Sequence, residues 1–432
     1  MFPALVVALL TGFPVAFAML ALAVAFGLPV FGDALLHQMV QKVEEVATAN
    51  VLAAVPLFVF MGVMFEQSGI AGRLFDAIHL WTRRVPGGLA VGTVLMCVIF
   101  AATSGIIGAT ESVVGLLAIP PMLKYAYDKG LICGTICAGG SLGTIIPPSI
   151  LAVVIGPVAS ASVGDILIGM LVPGLMLATA YIGYILIRCS LRPQDGPRIV
   201  AAEGEPGIAA KLALTGKVLV PPILIVIAVL GSIMVGLATP TEAAATGAVG
   251  TMLLTAAYGR LTRAVLWEAL VRTMRVTAMI LTILMAGSMF AAVFVASGGL
   301  SAINSVLEAA RLGPWATLAI ILLLAFLAGF MLDPLVIILI IVPIVTPVVK
   351  AMGFDIVWFC VLFLVVLQTA YLTPPMAPSI FYLRGIAPPA ITLRHMYVGI
   401  WPFVALQMAI VAAVAAFPET VLWLPKVLLT AR

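Results

Sequence analysis

Three acidic residues stand beside or within apolar stretches of the sequence, where a carboxylate needs a partner. Asp333 comes directly before a proline, Glu111 follows a Ser- and Gly-rich segment, and Glu242 follows a Thr-Pro-Thr triplet. An unpartnered carboxylate in a bilayer costs roughly 2.5–3.5 kcal/mol or more, so each is a candidate for ion binding or coupling. Each also has a structural alternative: Asp333 and Glu242 can cap helices, and a helix dipole can stabilise Glu111.

A serine at position 141 lies in the segment Gly139-Gly-Ser-Leu-Gly143, which matches the G-x-S-x-G pattern of serine hydrolases. Such a nucleophile needs a histidine base within reach. His37, His79 and His395 all fall in charged stretches of the sequence. Small residues that let helices approach closely explain the pattern without chemistry, so an intramembrane serine hydrolase is only a distant alternative.

The composition indicates that lipid is the solvent of this chain. Of 432 residues, 64% are hydrophobic and 9% are charged, whereas a soluble domain carries roughly 25% charged residues. This excludes disordered, nucleic-acid-binding and disulfide-scaffold proteins and predicts an all-α polytopic membrane protein. None of the lysines precedes Ser or Thr as in a Walker A motif, so energy must come from an ion gradient or a partner chain.

A helix needs about 20 apolar residues to cross the bilayer core. Nine runs are predicted to span it: 12–30, 52–69, 131–155, 166–187, 217–238, 239–259, 276–299, 357–382 and 397–416. The further apolar run 1–10 is shorter than a full span. Amphipathic, charged stretches at 31–50, 70–85, 260–275 and 300–313 separate the spans, and we expect them to lie at the membrane interface.

Two longer apolar stretches, 86–123 and 314–349, are interrupted near their middle. The first breaks at Thr103-Ser-Gly-Ile-Ile-Gly-Ala-Thr110 and the second at Gly329-Phe-Met-Leu-Asp-Pro334. Each half has about 14–18 residues, so it reaches only the midplane. We therefore predict two re-entrant helical hairpins, whose irregular tips must be surrounded by protein or by a water-filled cavity.

The basic residues fall unequally on the two sides of this arrangement. One side carries 16 of the 21 Lys and Arg residues, in the segments 70–88, 124–130, 188–217, 259–275 and 384–396. By the positive-inside rule this side is cytoplasmic, so the two hairpins open from opposite sides. Such hairpins suit alternating access better than the continuous pore of a channel.

The two halves of the chain repeat one order of features. Lys124 after the first hairpin and Lys350 after the second are each followed by a helix and then by a Pro-Pro pair, 23 and 24 residues further on. With the orientation above, these are two inverted repeats, each with a re-entrant hairpin and a broken transmembrane helix. This pattern indicates a secondary transporter, in which half-helix N-termini attract anions and unwound carbonyls coordinate cations.

Several short motifs occur in a specific order: Pro14-Val-Ala-Phe-Ala, Gly87-Gly-Leu-Ala with Ser104-Gly and Gly108-Ala-Thr, Gly139-Gly-Ser-Leu-Gly-Thr-Ile-Ile-Pro-Pro-Ser, Ala238-Thr-Pro-Thr-Glu-Ala-Ala-Ala245 and Thr373-Pro-Pro-Met. In this order they resemble the large membrane subunit of tripartite ATP-independent periplasmic (TRAP) transporters, elevator carriers of the ion-transporter superfamily. The resemblance covers essentially the whole chain. It implies a bacterial inner-membrane permease that imports a small organic acid, such as a C4-dicarboxylate or sialic acid, with a sodium gradient.

The resemblance also implies partners and sites. The partners are a small four-helix membrane subunit and a periplasmic binding protein that delivers the substrate, and no organic cofactor is implied. Na⁺ site 1 would use Ser104, Gly105, Gly108, Gly143, Ile146 and Pro148. By repeat symmetry, Na⁺ site 2 would use Gly329, Asp333, Thr373, Pro375 and Met376. The expected substrate contacts are Ser104, Thr110, Ser149, Thr373 and Ser379.

We divide the chain accordingly into a scaffold and a transport core. The divisions are scaffold helices at 1–84 and 217–313, transport core at 85–165 and 314–385, a connecting helix with a cytoplasmic linker at 166–216, and a C-terminal helix and tail at 386–432. Na⁺ binding is expected to order the hairpin tips before the loaded core moves across the membrane. The alternative is a stand-alone Na⁺- or H⁺-coupled carboxylate symporter of the same superfamily. No enzymatic activity is expected.

Overall fold

The structure of the protein is a computed structural model. It describes residues 1–104, 108–199, 207–302, 305, 312–330, 332–375 and 377–430, without the side chains of Phe2, Leu10, Ser104, Ala109, Leu429 and Thr430. Helices dominate throughout these ranges, which contain no β-strand. The all-α fold class is therefore confirmed.

The first half of the chain forms ten α-helices. They are α1 (Phe2–Leu10), α2 (Val15–Phe31), α3 (Ala34–Thr48), α4 (Ala54–Gln67), α5 (Ile70–Thr82), α6 (Gly88–Ser104), α7 (Ala109–Lys124), α8 (Lys129–Ser141), α9 (Ile150–Val158) and α10 (Val163–Leu191). Short 3₁₀ turns lie at Asn50–Ala53, Leu142–Thr144 and Pro193–Asp195.

The described residues of the second half form nine more. They are α11 (Ile208–Met234), α12 (Pro240–Ala257), α13 (Arg263–Ala296), α14 (Pro314–Ala328), α15 (Pro334–Ala351), α16 (Ile356–Leu372), α17 (Pro378–Ile386), α18 (Leu393–Ala416) and α19 (Glu419–Thr430). Most of the predicted interfacial stretch 300–313 lies outside the described residues.

Six helices of the described chain are long and apolar enough to cross a membrane: Asn50–Gln67, Val163–Leu191, Ile208–Met234, Arg263–Ala296, Pro334–Ala351 and Leu393–Ala416. Five of them coincide with predicted spans. The exception is α15, which the sequence assigns to the second hairpin. Its 18 residues measure about 27 Å at 1.5 Å per residue, so its length alone does not require it to turn back at the midplane.

The predicted interfacial stretch at 260–275 and the predicted span at 276–299 are not separated by a helix end. Residues from both form the single 34-residue helix α13. No proline occurs in it, and its one glycine, Gly287, lies well inside the apolar part. Charged residues that favour helices, such as Arg and Glu, change the polarity of a helix without ending it. Helix α11 likewise begins at Ile208, inside the predicted linker, and continues past its charged residues Lys211 and Lys217.

Both interrupted apolar stretches form pairs of packed helices, as predicted. The first hairpin consists of α6 and α7, and the second hairpin consists of α14 and α15. Asp333 caps α15, because its Oδ1 accepts a hydrogen bond from the backbone N–H of Leu335 at 2.8 Å. The side of the membrane from which each hairpin opens stays a prediction.

Each predicted Pro-Pro helix break is also present. The first break separates α8 from α9 at residues 142–149, and the second break separates α16 from α17 at residues 373–377. Proline has no backbone N–H and its ring clashes with the preceding turn, so each pair weakens the helix at its position. The pair alone does not end a helix, because Pro120-Pro121 lies inside α7 and Pro221-Pro222 lies inside α11. The two halves therefore share the order hairpin, helix, break and half-helix, while their inverted orientation stays a prediction.

The first part of the connecting linker is hydrogen-bonded to the residues that follow the first hairpin. Arg188, at the end of α10, donates to Asp195 at 2.8 Å and to Asp128 at 2.9 Å. The hydroxyl of Tyr127 donates to the carbonyl of Pro197 and accepts from a backbone N–H of α6, both at 3.2 Å. Burial raises the pKa of Tyr127 to about 12, so it stays a neutral donor.

Close glycine packing joins α18 to α8. A Cβ on Gly399 would overlap the backbone carbonyl of Gly130, and a Cβ on Gly134 would overlap the carbonyl of Gly399. Small residues at such positions let two helix backbones touch. Helix α18 therefore lies directly against α8, the helix that leads into the first break.

Candidate functional site

Glu111 is fully buried and connects three elements at the tip of the first hairpin. Its Oε2 accepts a hydrogen bond from the backbone N–H of Gly108 at 2.9 Å, at the start of α7. This is only one half of a capping box, because Gly108 has no side chain to accept a hydrogen bond in return. Its Oε1 accepts one from the hydroxyl of Tyr371, in the last turn of α16, at 3.1 Å. A Cβ on Gly140 would overlap the Glu111 side chain, so the carboxyl group also lies against α8.

Gly108 allows the hairpin tip to approach the second break. Its φ of +83° lies in the left-handed region, where a side chain is strained. A Cβ there would stand 2.6 Å from ring atoms of Tyr382 on α17. The tip of the first hairpin therefore packs against the half-helix that follows the second break.

Side-chain hydroxyls satisfy the unwound backbone of the first break. The Thr144 hydroxyl donates to the carbonyl of Ser141, and the Ser149 hydroxyl donates to the carbonyl of Thr144, both at 2.8 Å. All three residues are buried. These contacts offset the loss of helical hydrogen bonds at a depth where water is scarce.

Two elements that carry predicted residues of Na⁺ site 1 are in contact. α6 packs against the turn Leu142–Thr144, which contains Gly143, and Ile146 and Pro148 are in the same break. Gly105 and the side chain of Ser104 lie outside the described residues. The structure thus brings the first hairpin and the first break together.

The predicted residues of Na⁺ site 2 show the corresponding arrangement. A Cβ on Gly329 would overlap the side chain of Ala370, so the second hairpin meets the last turn of α16. Thr373 and Pro375 follow directly in the second break, whereas Met376 lies outside the described residues. Asp333 is exposed and acts as the N-cap described above.

Three of the predicted substrate-contact hydroxyls donate their protons to backbone carbonyls of the protein. Ser149 donates to a backbone carbonyl at 2.8 Å, Thr373 at 2.6 Å and Ser379 more weakly at 3.5 Å. A hydroxyl that donates in this way keeps two lone pairs but has no proton left for an anion. These three groups therefore suit a cation better than a carboxylate. Thr110, the remaining described candidate, is buried in the first turn of α7.

The available ligands are consistent with Na⁺. In the part of the chain that the structure describes, no three His, Cys, Asp or Glu side chains form a metal-binding cluster. The two breaks instead offer backbone carbonyls and hydroxyl oxygens, which are hard, neutral donors. Hard cations take oxygen ligands of this kind, and broken membrane helices coordinate Na⁺ through unwound carbonyls.

Glu242 has the structural role that its sequence allowed. Its Oε2 accepts hydrogen bonds from the backbone N–H and the hydroxyl of Thr239, both at 2.8 Å. The residue is exposed at the start of α12, a helix that packs mainly against α4 and α11. Among the described residues it is not brought to either break.

Ser141, the candidate nucleophile of the sequence, lies in a buried polar cluster with two glutamines that the sequence did not single out. Gln368 and Gln407 each donate from Nε2 to the hydroxyl of Ser141, at 3.2 and 3.3 Å. The only available signal was an amide side chain within an apolar run. Ser141 donates in turn to the carbonyl of Ala138, so its neighbours are amides and backbone rather than a histidine, and the hydrolase alternative has no base.

Comparison with known proteins gives one consistent result. The family described as "Tripartite ATP-independent periplasmic transporter, DctM component" matches residues 2–420. The C4-dicarboxylate TRAP transporter large permease protein DctM of Pseudomonas aeruginosa is 30% identical, over 89% of this chain and 88% of the relative. The ectoine/5-hydroxyectoine TRAP transporter large permease protein UehC of Ruegeria pomeroyi is 29% identical, over 98% and 97%.

A solved structure supports the same fold. The crystal structure of the YdaH transporter of Alcanivorax borkumensis superposes with a TM-score of 0.69 at 14% identity, covering 93% of this chain and 96% of that one. At this identity the likeness concerns the fold alone.

Proposed function

Because this chain belongs to the DctM family of tripartite ATP-independent periplasmic transporters, we propose that it is the large permease subunit of a Na⁺-driven importer. It is a multi-pass membrane protein and a transporter component, not an enzyme. We place it in the bacterial inner membrane, where a periplasmic binding protein delivers the solute and a small membrane subunit completes the complex.

One observation carries the proposal of Na⁺ coupling. A helix of the first hairpin packs against the first break, and Gly329 at the tip of the second hairpin lies against Ala370 just before the second break. The hydroxyls of Ser149 and Thr373 in these breaks donate to backbone carbonyls. Their free lone pairs, together with unwound carbonyls, form neutral oxygen-rich environments that favour a monovalent cation. Secondary transport is consistent with the absence of a Walker A motif from the sequence.

The proposed elevator movement is supported by contacts that hold the core together. Glu111 hydrogen-bonds to Gly108 at the first hairpin and to Tyr371 beside the second break. The glycine contacts between α8 and α18 extend this body to a helix outside the predicted transport core. Elements connected in this way can move as one body, because an interior polar contact is expensive to break.

The proposed substrate is a small organic acid. The two relatives are named for C4-dicarboxylates and for ectoines, so the family accommodates solutes of different shape. Since the hydroxyls of the breaks are oriented toward backbone carbonyls, the carboxylate is expected to meet half-helix N-termini instead. Selection among acids then rests largely with the binding protein that delivers them.

Reconstitution tests this function. The chain is placed in proteoliposomes with its small subunit, and uptake of a panel of radiolabelled organic acids is measured with the cognate binding protein outside. Uptake is expected only with an inward Na⁺ gradient, and a K⁺ gradient of equal size is the matched control. Uptake that persists without the binding protein contradicts the tripartite assignment and favours the stand-alone symporter. Uptake driven equally by a proton gradient without Na⁺ contradicts sodium coupling.

A further inference from the structure

A buried cluster of polar side chains connects the two helix breaks. This carboxamide cluster consists of Ser141, Gln368 and Gln407, all at most 1% exposed. Ser141 is the last residue of α8, directly before the first break. Gln368 lies on α16, five residues before Thr373 at the start of the second break. Gln407 lies on α18, which continues unbroken through this region.

The hydroxyl of Ser141 uses its full hydrogen-bonding capacity in this cluster. It accepts from Nε2 of Gln368 at 3.2 Å and of Gln407 at 3.3 Å, and it donates to the carbonyl of Ala138 at 2.8 Å. A serine hydroxyl has one proton and two lone pairs, so all three are engaged. Its orientation is therefore determined from three directions.

The same serine begins a chain of hydrogen bonds through the first break. Its carbonyl accepts from Thr144, whose own carbonyl accepts from Ser149, each at 2.8 Å. Gln368 thus reaches, through Ser141 and Thr144, the residue that precedes α9. The chain runs from the helix that enters one break to the far end of the other.

Burial makes this connection stiff. If either break shifts alone, the hydrogen bond between the Gln368 amide and the Ser141 hydroxyl breaks, and both groups are buried. An unsatisfied buried group is far more costly than the net gain from the bond itself. A rearrangement at one break is therefore favoured when the other break rearranges with it.

We propose that Gln368 is a positioning residue that couples the two breaks, so that a cation bound at one raises the affinity of the other. This inference rests on the proposed Na⁺-driven function. Coupling between two sites is reciprocal, and it appears as a sigmoidal dependence on the ligand. Gln407 provides an internal comparison, because it makes the same bond to Ser141 from a helix without a break.

The test compares Gln368→Met with Gln407→Met in the complete complex. Methionine keeps the length and flexibility of glutamine but removes its amide. Two quantities are measured: the Na⁺ dependence of uptake in proteoliposomes at saturating substrate, and the Na⁺-induced rise in Tm of the purified complex. For two coupled sites the wild type is expected to show a Hill coefficient approaching about 2.

Gln368→Met is expected to lower this coefficient toward about 1 and to raise the half-saturating Na⁺ concentration, since independent sites bind without cooperativity. Gln407→Met is expected to keep the wild-type steepness. Ser141→Ala, which adds no bulk, is expected to reproduce Gln368→Met and serves if a methionine variant fails to fold.

Two results would overturn the inference. The first is a wild-type Hill coefficient in both Gln368→Met and Ser141→Ala. The second is an equal fall of the Hill coefficient in Gln407→Met, which would mean that any hydrogen bond to Ser141 has the same effect. The Na⁺ response of the wild-type complex tests the proposed function separately. A wild-type complex without any response to Na⁺ refutes sodium coupling itself. A wild type that responds to Na⁺ with a simple hyperbola refutes only the coupling of the breaks.

Discussion

The hydroxyl of Tyr371 donates a hydrogen bond at 3.1 Å to Oε1 of Glu111, a residue 260 positions earlier in the chain. Glu111 is fully buried and Tyr371 is 3% exposed. The bond joins the tip of the first hairpin to the last turn of α16, just before the second break. The two halves of the chain therefore meet in a polar contact at the candidate site.

Removing this hydroxyl should loosen the hairpin tip. Tyr371→Phe leaves Oε1 of Glu111 without its partner in a buried site, which should lower the free energy of unfolding by about 1–3 kcal/mol. Thermal unfolding of the purified protein measures the loss, and substrate uptake should show a higher KM. Tyr258→Phe is the matched control, because the Tyr258 hydroxyl is exposed and its hydrogen bond to a backbone carbonyl is long, at 3.4 Å. Equal behaviour of the two variants would refute a role for the contact.

Two substitutions at Asp333 distinguish ion binding from helix capping. Asparagine also caps helices, so Asp333→Asn should retain stability, whereas Asp333→Ala should cost about 1 kcal/mol. If the carboxylate helps to bind Na⁺, Asp333→Asn should raise the half-saturating Na⁺ concentration by on the order of tenfold, equivalent to ~1.4 kcal/mol. Uptake measured against Na⁺ concentration checks this. A sodium activation curve identical to that of the wild type would leave Asp333 with a purely capping role.

The glycine interface between α8 and α18 should not accept a methyl group. A Cβ on Gly399 would overlap the backbone carbonyl of Gly130, so Gly399→Ala should destabilise the protein by roughly 1–3 kcal/mol. Gly183→Ala in α10 is the control, since no atom lies within 4 Å of its added Cβ and alanine favours a helix. The fraction of folded protein after heating separates them, and equal losses would mean that the two helices adjust to the methyl group.

Features that depend on neighbouring residues were predicted well. Both predicted breaks are present at their Pro-Pro pairs, although two other pairs, Pro120-Pro121 and Pro221-Pro222, lie inside helices. The helix-start contacts of Glu111, Asp333 and Glu242 join residues only two or three positions apart. The continuation of α13 through 260–275 was missed, because charge reveals the polarity of a helix but not its end. Tyr371 and Gln368 were also missed as site residues, since in the sequence they are isolated polar groups in an apolar run.

The sequence by itself determined the solvent, the helical class, the two breaks and the family resemblance, because composition and local stereochemistry are properties of short segments. Only the tertiary structure decided which segments meet. It brought Glu111 to Tyr371 and Ser141 to Gln368, pairs separated by 260 and 227 positions. It also turned the hydroxyls of Ser149 and Thr373 toward backbone carbonyls. Such contacts follow from how whole helices pack around buried polar groups, and that packing is a sum over the entire chain.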